Sequence, residues 1–220
     1  MKLEPVRIWD VPVRIVHWLL VVLICFSWWS GTEGGNWMTY HMWSGYSILT
    51  LILFRIAWGF IGSSTARFSS FVRGPRAVRA YLSTLRNRSA SGYPGHNPLG
   101  GWSVLLMMLS IALQATTGLF ANDDIATEGP LYGWVSKATS DALSTVHVYN
   151  FYVLLALAGL HIAAVLFYFF YKRENLVRPM LDGRKLVAPD AARTLSYASL
   201  GRAAPVLLAV AIAVYFLVRQ

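Results

Sequence analysis

One stretch constrains this chain more than any other: residues 146–171, VHVYNFYVLLALAGLHIAAVLFYFFY. It is apolar almost throughout and long enough to cross a bilayer, which takes about 20 helical residues. Yet it carries two histidines, His147 and His161, fourteen residues apart. At about 1.5 Å and 100° per residue, the two imidazoles stand roughly 21 Å apart and within about 40° of one helix face. Ionisable groups are uncommon inside membrane spans and usually mark function. Two of them stacked on one face point to ligands for two separate metal centres, one near each side of the bilayer.

The remaining sequence has the same character. A first apolar run covers 15–31 and contains His17. No small-residue cleavage site follows it, so it reads as a retained helix rather than a signal peptide. A second runs over 41–61, opening on His41 and interrupted only by Arg55, and a third over 99–120. The last, 204–218, has Pro205 near its start and only about fifteen residues, against the ~20 of an ordinary span. Arg202 and Arg219 flank it and can snorkel to the two interfaces. It reads as a fifth span, the alternative being an interfacial or partner-packed helix.

Composition supports a membrane protein: 56% of residues are hydrophobic and 13% charged, where soluble domains carry about 25% charge. Nine Trp and eleven Tyr suit aromatic belts at the interfaces. The net charge of +9 does not indicate nucleic acid, because the bases lie between apolar runs as an orientation signal. The links after the first and third runs hold one Lys or Arg, whereas the N-terminus and the other two links hold sixteen. By the positive-inside rule the N-terminus is cytoplasmic. The segment 62–97 carries six arginines, and its GPRAVRAYLSTLRN portion has the pattern of a short amphipathic helix on an anionic surface. The link 121–145 holds Asp123, Asp124, Glu128 and Asp141 against Lys137, with a short surface helix expected at 136–143. Cys25 is the only cysteine, which excludes a disulfide within the chain and a thiolate cage. It reads as a small buried hydrophobe.

With that orientation the histidines sort by depth. His41 and His147 fall at the outer level, His17 and His161 at the inner. Two imidazoles per level cannot complete a tetrahedral zinc site, and no acid lies inside any span. Two trans imidazoles suit a haem iron, whose porphyrin supplies four nitrogens. Gly31, Gly45, Gly118 and Gly159 supply small residues near the ligands, as close approach requires. Arg55 lies fourteen residues after His41 and nearly on its face, which makes it a partner for a haem propionate or a quinone. The alternative is an ordinary snorkelling arginine. His96, in GHNPLG before the third run, reads as an interface or supporting residue rather than a ligand. The Asn97-Pro98 that follows it is a helix start.

Several motifs together resemble those of the bacterial cytochrome b561 and nickel-iron hydrogenase b-type cytochrome family. They are VRIWDVPVRIVHW entering the first helix, the His near the start of the second, and its FRIAWGFIG ending. GHNPLGGW opens the third helix, and HVYNFYVLLALAGLH lies in the fourth. The likeness covers about residues 6–185, ending with RPMLDGRK. It implies an all-α integral membrane protein: a four-helix transmembrane bundle holding two b-type haems in residues 1–185. Residues 186–220 then form a cytoplasmic linker and the fifth helix. The implied axial ligands are His17, His41, His147 and His161.

The resemblance implies electron transfer across the inner membrane between the quinone pool and a periplasmic redox partner such as a c-type cytochrome. The outer acids offer a surface for a basic protein of that kind, or simply reflect outer-loop charge asymmetry. Oxidation of superoxide with quinone as acceptor is a second function, which requires an open or cationic approach to the outer haem. A third is the haem-bearing anchor of a hydrogenase or dehydrogenase, weakened here by the short first link. The added helix offers a face for a partner or a second copy. Proton transport has little support, since no acid inside a span accompanies the histidines.

Overall fold

The computed structural model describes residues 4–88, 92–193 and 195–219. It contains five helices long and apolar enough to cross a membrane: α1 (Val11–Glu33), α2 (Trp37–Ile61), α5 (Pro98–Gly118), α6 (Lys137–Phe170) and α9 (Leu200–Val218). Shorter helices lie between them: α3 (Phe68–Phe71), α4 (Pro75–Ser83), α7 (Val177–Asp182) and α8 (Pro189–Arg193). Two strands, β1 (Glu4–Arg7) and β2 (Arg184–Val187), form an antiparallel pair, with Glu4 opposite Val187 and Arg7 opposite Arg184. The chain is a multi-pass, helical membrane protein.

Four features depart from the sequence reading. The expected surface helix at 136–143 does not exist separately; it is the start of α6, 34 residues long. Ser136 caps it, accepting from the Thr139 N–H at 3.2 Å, and no breaker separates it from the apolar run. The link after α1 shrinks to residues 34–36. There Gly34 and Gly35 take the left-handed conformation (φ +65° and +52°), which ends one helix within reach of the next at little steric cost. Cys25 is exposed rather than buried, because much of an apolar transmembrane helix faces away from its neighbours. The last helix gains a turn and reaches 19 residues with Pro205 inside it, long enough for a span.

The described residues divide into two compact units. One draws on Met1–Ile15, Ile56–Leu106 and Leu157–Ala203, the other on Val16–Arg55, Met107–Ala156 and Ala204–Gln220.

In the first unit, Asp10 starts α1. Its Oδ1 accepts from the Val13 N–H at 2.9 Å and its Oδ2 from Trp58 Nε1–H at 2.9 Å. Asp10 is 6% exposed and Trp58 fully buried. Replacing Asp10 by alanine removes a helix cap and the hydrogen bond that the buried Trp58 indole N–H makes to it. Together these are expected to destabilise the protein by about 2–4 kcal/mol, read as a fall in thermal midpoint in detergent. Glycine is required at Gly183, where φ is +82° and a β-carbon would stand 2.9 Å from the Trp9 carbonyl. Through that bend the Gly183 carbonyl accepts the N–H groups of Ile8 and Trp9, continuing the strand pair.

The amphipathic helix forms as α4, with Pro75 at its first position. It is not simply laid on a lipid surface. Tyr81 is buried, and its hydroxyl hydrogen bonds to that of Tyr168. Burial is the main cause that pushes the Tyr81 phenol well above its usual range. Buried Lys172 donates to the carbonyls of Thr84 and Asn87, and Lys185 pairs with buried Glu174 at 2.5 Å. Two bases of the charge count are thus also structural.

Candidate haem site

The second unit brings together two of the four predicted ligands. His41 stands on the second turn of α2 and His147 on α6, their ring centres 6.2 Å apart with planes at 78°. Each imidazole is oriented by a backbone carbonyl: His41 Nδ1 donates to Ser27 at 2.9 Å, and His147 Nδ1 to Gln114 at 2.9 Å. Carbonyls only accept, so both rings carry their proton on Nδ1 and keep the Nε2 lone pair for a ligand. Ser44 supports the first arrangement by donating to the His41 carbonyl at 2.8 Å, and it hydrogen bonds to the Ser27 hydroxyl.

Both rings line a cavity of about 470 Å³ bounded by parts of α1, α2, α5 and α6. Glycines make the room. A β-carbon on Gly31 would lie 2.9 Å from His41 Nδ1, and one on Gly118 2.9 Å from His147 Cε1. Gly45 also lines the cavity, with open space where its β-carbon would be. Gly159, the fourth glycine of the sequence reading, likewise faces open space. Among the described residues no Lys or Arg lines the cavity, and Asp123 is its one charged residue.

Among the described residues, no group of three or more His, Cys, Asp or Glu side chains could hold a metal ion. This cavity thus offers, among the described residues, two imidazoles, a donor set that suits an iron whose other positions a porphyrin fills. His41 and His147, with ring centres 6.2 Å apart, would be the residues to hold one iron between them. The glycines, the cavity and the free Nε2 atoms fit a haem.

A family model described as prokaryotic cytochrome b561 matches residues 8–183. The chain belongs to the prokaryotic cytochrome b561 family. These are membrane haem b proteins of electron transfer. No curated protein and no solved structure matches the chain significantly.

The other predicted residues of this b561 protein lie as follows. His17 is on α1 in the second unit and His161 on α6 in the first, so each is described on its own helix. Arg55 is buried, 6% exposed, and six residues short of the end of α2, unlike a side chain snorkelling from a helix terminus. His96 packs between the rings of Trp9 and Phe71, each centre 4.7 Å away. Asn97 caps α5, its Oδ1 accepting from Gly100 N–H at 2.8 Å.

The acidic link between α5 and α6 is largely tied into its own structure. Lys137 bridges Asp124 at 2.6 Å and Asp141 at 2.5 Å. Asp123 Oδ1 accepts the N–H groups of Ile125, Ala126 and Thr127 at 3.0, 2.9 and 2.8 Å. Those donors, with Thr127 first among them, hold the Asp123 carboxyl well below its usual value. A lowered folded-state pKa means the stabilisation is complete above the unfolded value and disappears as pH falls towards the folded one. The stability difference between wild type and Asp123→Asn is therefore expected to be constant at neutral pH and to shrink below 3.8, as denaturant midpoints will show.

Sequence reading missed Ser110, Gln114, Thr117 and Asn150. The signal was available: three of them are polar residues within four positions of each other or of Gly118 in an otherwise apolar run, and Asn150 follows His147 by three.

Proposed function

We propose that this protein moves electrons across the bacterial inner membrane through two haems b, between the quinone pool and a periplasmic redox partner such as a c-type cytochrome. His41 and His147 hold the outer haem, His17 and His161 the inner, and the N-terminus is cytoplasmic. The observation that carries this reading is the His41–His147 pair, fixed at 6.2 Å with both Nδ1 atoms committed to carbonyls. The continuity of α6 supports the second site, since it carries His147 and His161 on one unbroken helix, roughly 21 Å apart along its axis.

When bound, each haem supplies one-electron chemistry at iron. The residues of the chain do the rest. The Ser27 and Gln114 carbonyls keep the imidazoles in one tautomer and raise their basicity. The cavity wall is mostly apolar, so a change of charge at the site is felt more strongly than in water. Buried Arg55 supplies a cation inside a span, where a haem propionate or the quinone would meet a positive charge in a low-dielectric setting. With no Lys or Arg among the described residues of the cavity wall, an anionic substrate such as superoxide gains no attraction from them, which favours a protein donor or acceptor.

The test is a reduced-minus-oxidised spectrum with haem quantified on the purified protein, followed by addition of menaquinol, ubiquinol or a basic c-type cytochrome. Reduction by quinol and reoxidation by cytochrome c are expected. Superoxide reducing the haems faster than any quinol would favour the enzyme reading instead. Replacing Arg55 by leucine is expected to slow quinol-dependent reduction or lower haem retention, and unaltered values of both would remove Arg55 from the site.

A further inference from the structure

Asn150 lies three residues after His147 and is 7% exposed, an amide enclosed within an apolar span. All its side-chain hydrogen bonds go to one turn of α5. Its Nδ2 donates to the Ser110 carbonyl at 2.9 Å and to Gln114 Oε1 at 2.7 Å, and its Oδ1 accepts from the Ser110 hydroxyl at 3.1 Å. The Ser110 carbonyl can only accept, which decides which end of the Asn150 amide faces it. That in turn requires the oxygen of Gln114, not its nitrogen, to face Asn150. The same Gln114 offers its backbone carbonyl to His147 Nδ1 at 2.9 Å. The turn of α5 gripped by Asn150 is thus the turn that orients the imidazole.

We propose that Asn150 is a positioning residue for His147: the Asn150–Ser110–Gln114 lock holds the Gln114 carbonyl against the imidazole N–H and so sets the ring orientation and donor strength of that ligand. The inference rests on the reading of His147 as an iron ligand. A hydrogen bond at Nδ1 raises the basicity of a ligating imidazole, and a more basic ligand favours the ferric state. Loosening the lock weakens that bond and raises the reduction potential of one haem, leaving the other unchanged. A residue that merely packed two helices would alter stability without moving a potential.

The experiment is a potentiometric titration and low-temperature EPR of the purified holoprotein carrying Asn150→Leu, a substitution close in volume. The expected result is unchanged haem content, a higher midpoint potential for one haem and a shifted low-spin g-value for that haem alone. Ser110→Ala removes only the hydroxyl bond and keeps both Asn150 donor bonds. It is expected to give a smaller shift in the same direction, and it supplies the readout if the first variant does not fold. Wild-type potentials and g-values in the folded variants, or equal shifts of both haems, overturn the proposal. Should His147→Ala keep the haem component that Asn150→Leu shifts, it is the ligand assignment beneath the proposal that fails.

Discussion

Purified wild type is expected to contain about two haems per chain and His147→Ala about one. The reason lies in what surrounds the imidazole. The groups around the imidazole are Thr117, Gln114 and Gly118, none of which is a strong iron ligand. His41→Ala is expected to remove the same spectral component, because the two rings face one cavity. His17→Ala and His161→Ala are expected to remove the other. The readout is pyridine haemochrome content with the reduced-minus-oxidised spectrum, and the surviving component serves as an internal check that the variant has folded. Full haem retention in His161→Ala would sink the pairing of His17 with His161.

The second large effect is expected at the glycines. A β-carbon at Gly118 would press on His147 Cε1 at 2.9 Å, and one at Gly31 on His41 Nδ1 at 2.9 Å, closer than carbon atoms ordinarily approach. Gly118→Leu and Gly31→Leu must displace the rings or fill the cavity. Either outcome breaks the alignment of Nε2 and the hydrogen bond at Nδ1. Changes to groups that orient a metal ligand typically cost about 10–100-fold in affinity, so both variants are expected to lose at least that much in haem affinity at this site. Haem titration of the apoprotein measures it. Gly45→Ala is the control: it lines the same cavity, but its β-carbon meets nothing within 4 Å, and near-normal affinity is expected. Equal losses in all three variants would mean that cavity volume, not the imidazole contacts, governs binding.

Much of this site was legible because a membrane leaves few alternatives. Apolar runs of span length must be helices, so His41 and His147 could be placed at one level from charge asymmetry alone. Gly31 and Gly118 were legible as small residues near that level. Their partners were less so. That Gly31 faces His41 and Gly118 faces His147 depends on the rotation of each helix about its axis, which uniform hydrophobicity does not encode. Residues of a lipid-facing side and of a packed side look alike in sequence, and Cys25 shows it: apolar surroundings suggested burial, and it is exposed. The carbonyls of Ser27 and Gln114 carry no side-chain signal at all.

Outside the spans, Asp10 illustrates a different limit. Its position before Val11 and Pro12 marks a helix start, but its second bond goes to Trp58, 48 residues away. Likewise the strand pair joins residues near the N-terminus to residues beyond α6, from segments whose four-residue strands are too short to announce themselves by alternation.

The sequence by itself determined that this chain has runs long and apolar enough to cross a membrane as helices, that four of its histidines lie in or beside those runs and sort into two levels, and that they number too few for an all-protein metal cage. These follow from composition and spacing, because burying a polar group in hydrocarbon is costly enough to exclude most other readings. The tertiary structure alone decided which nitrogen of His41 and His147 keeps its lone pair, which glycines admit the rings, and that Asn150 grips the turn behind His147. Those depend on helix rotation and on hydrogen bonds between residues 14 to 40 positions apart, distances over which sequence pattern carries no geometry.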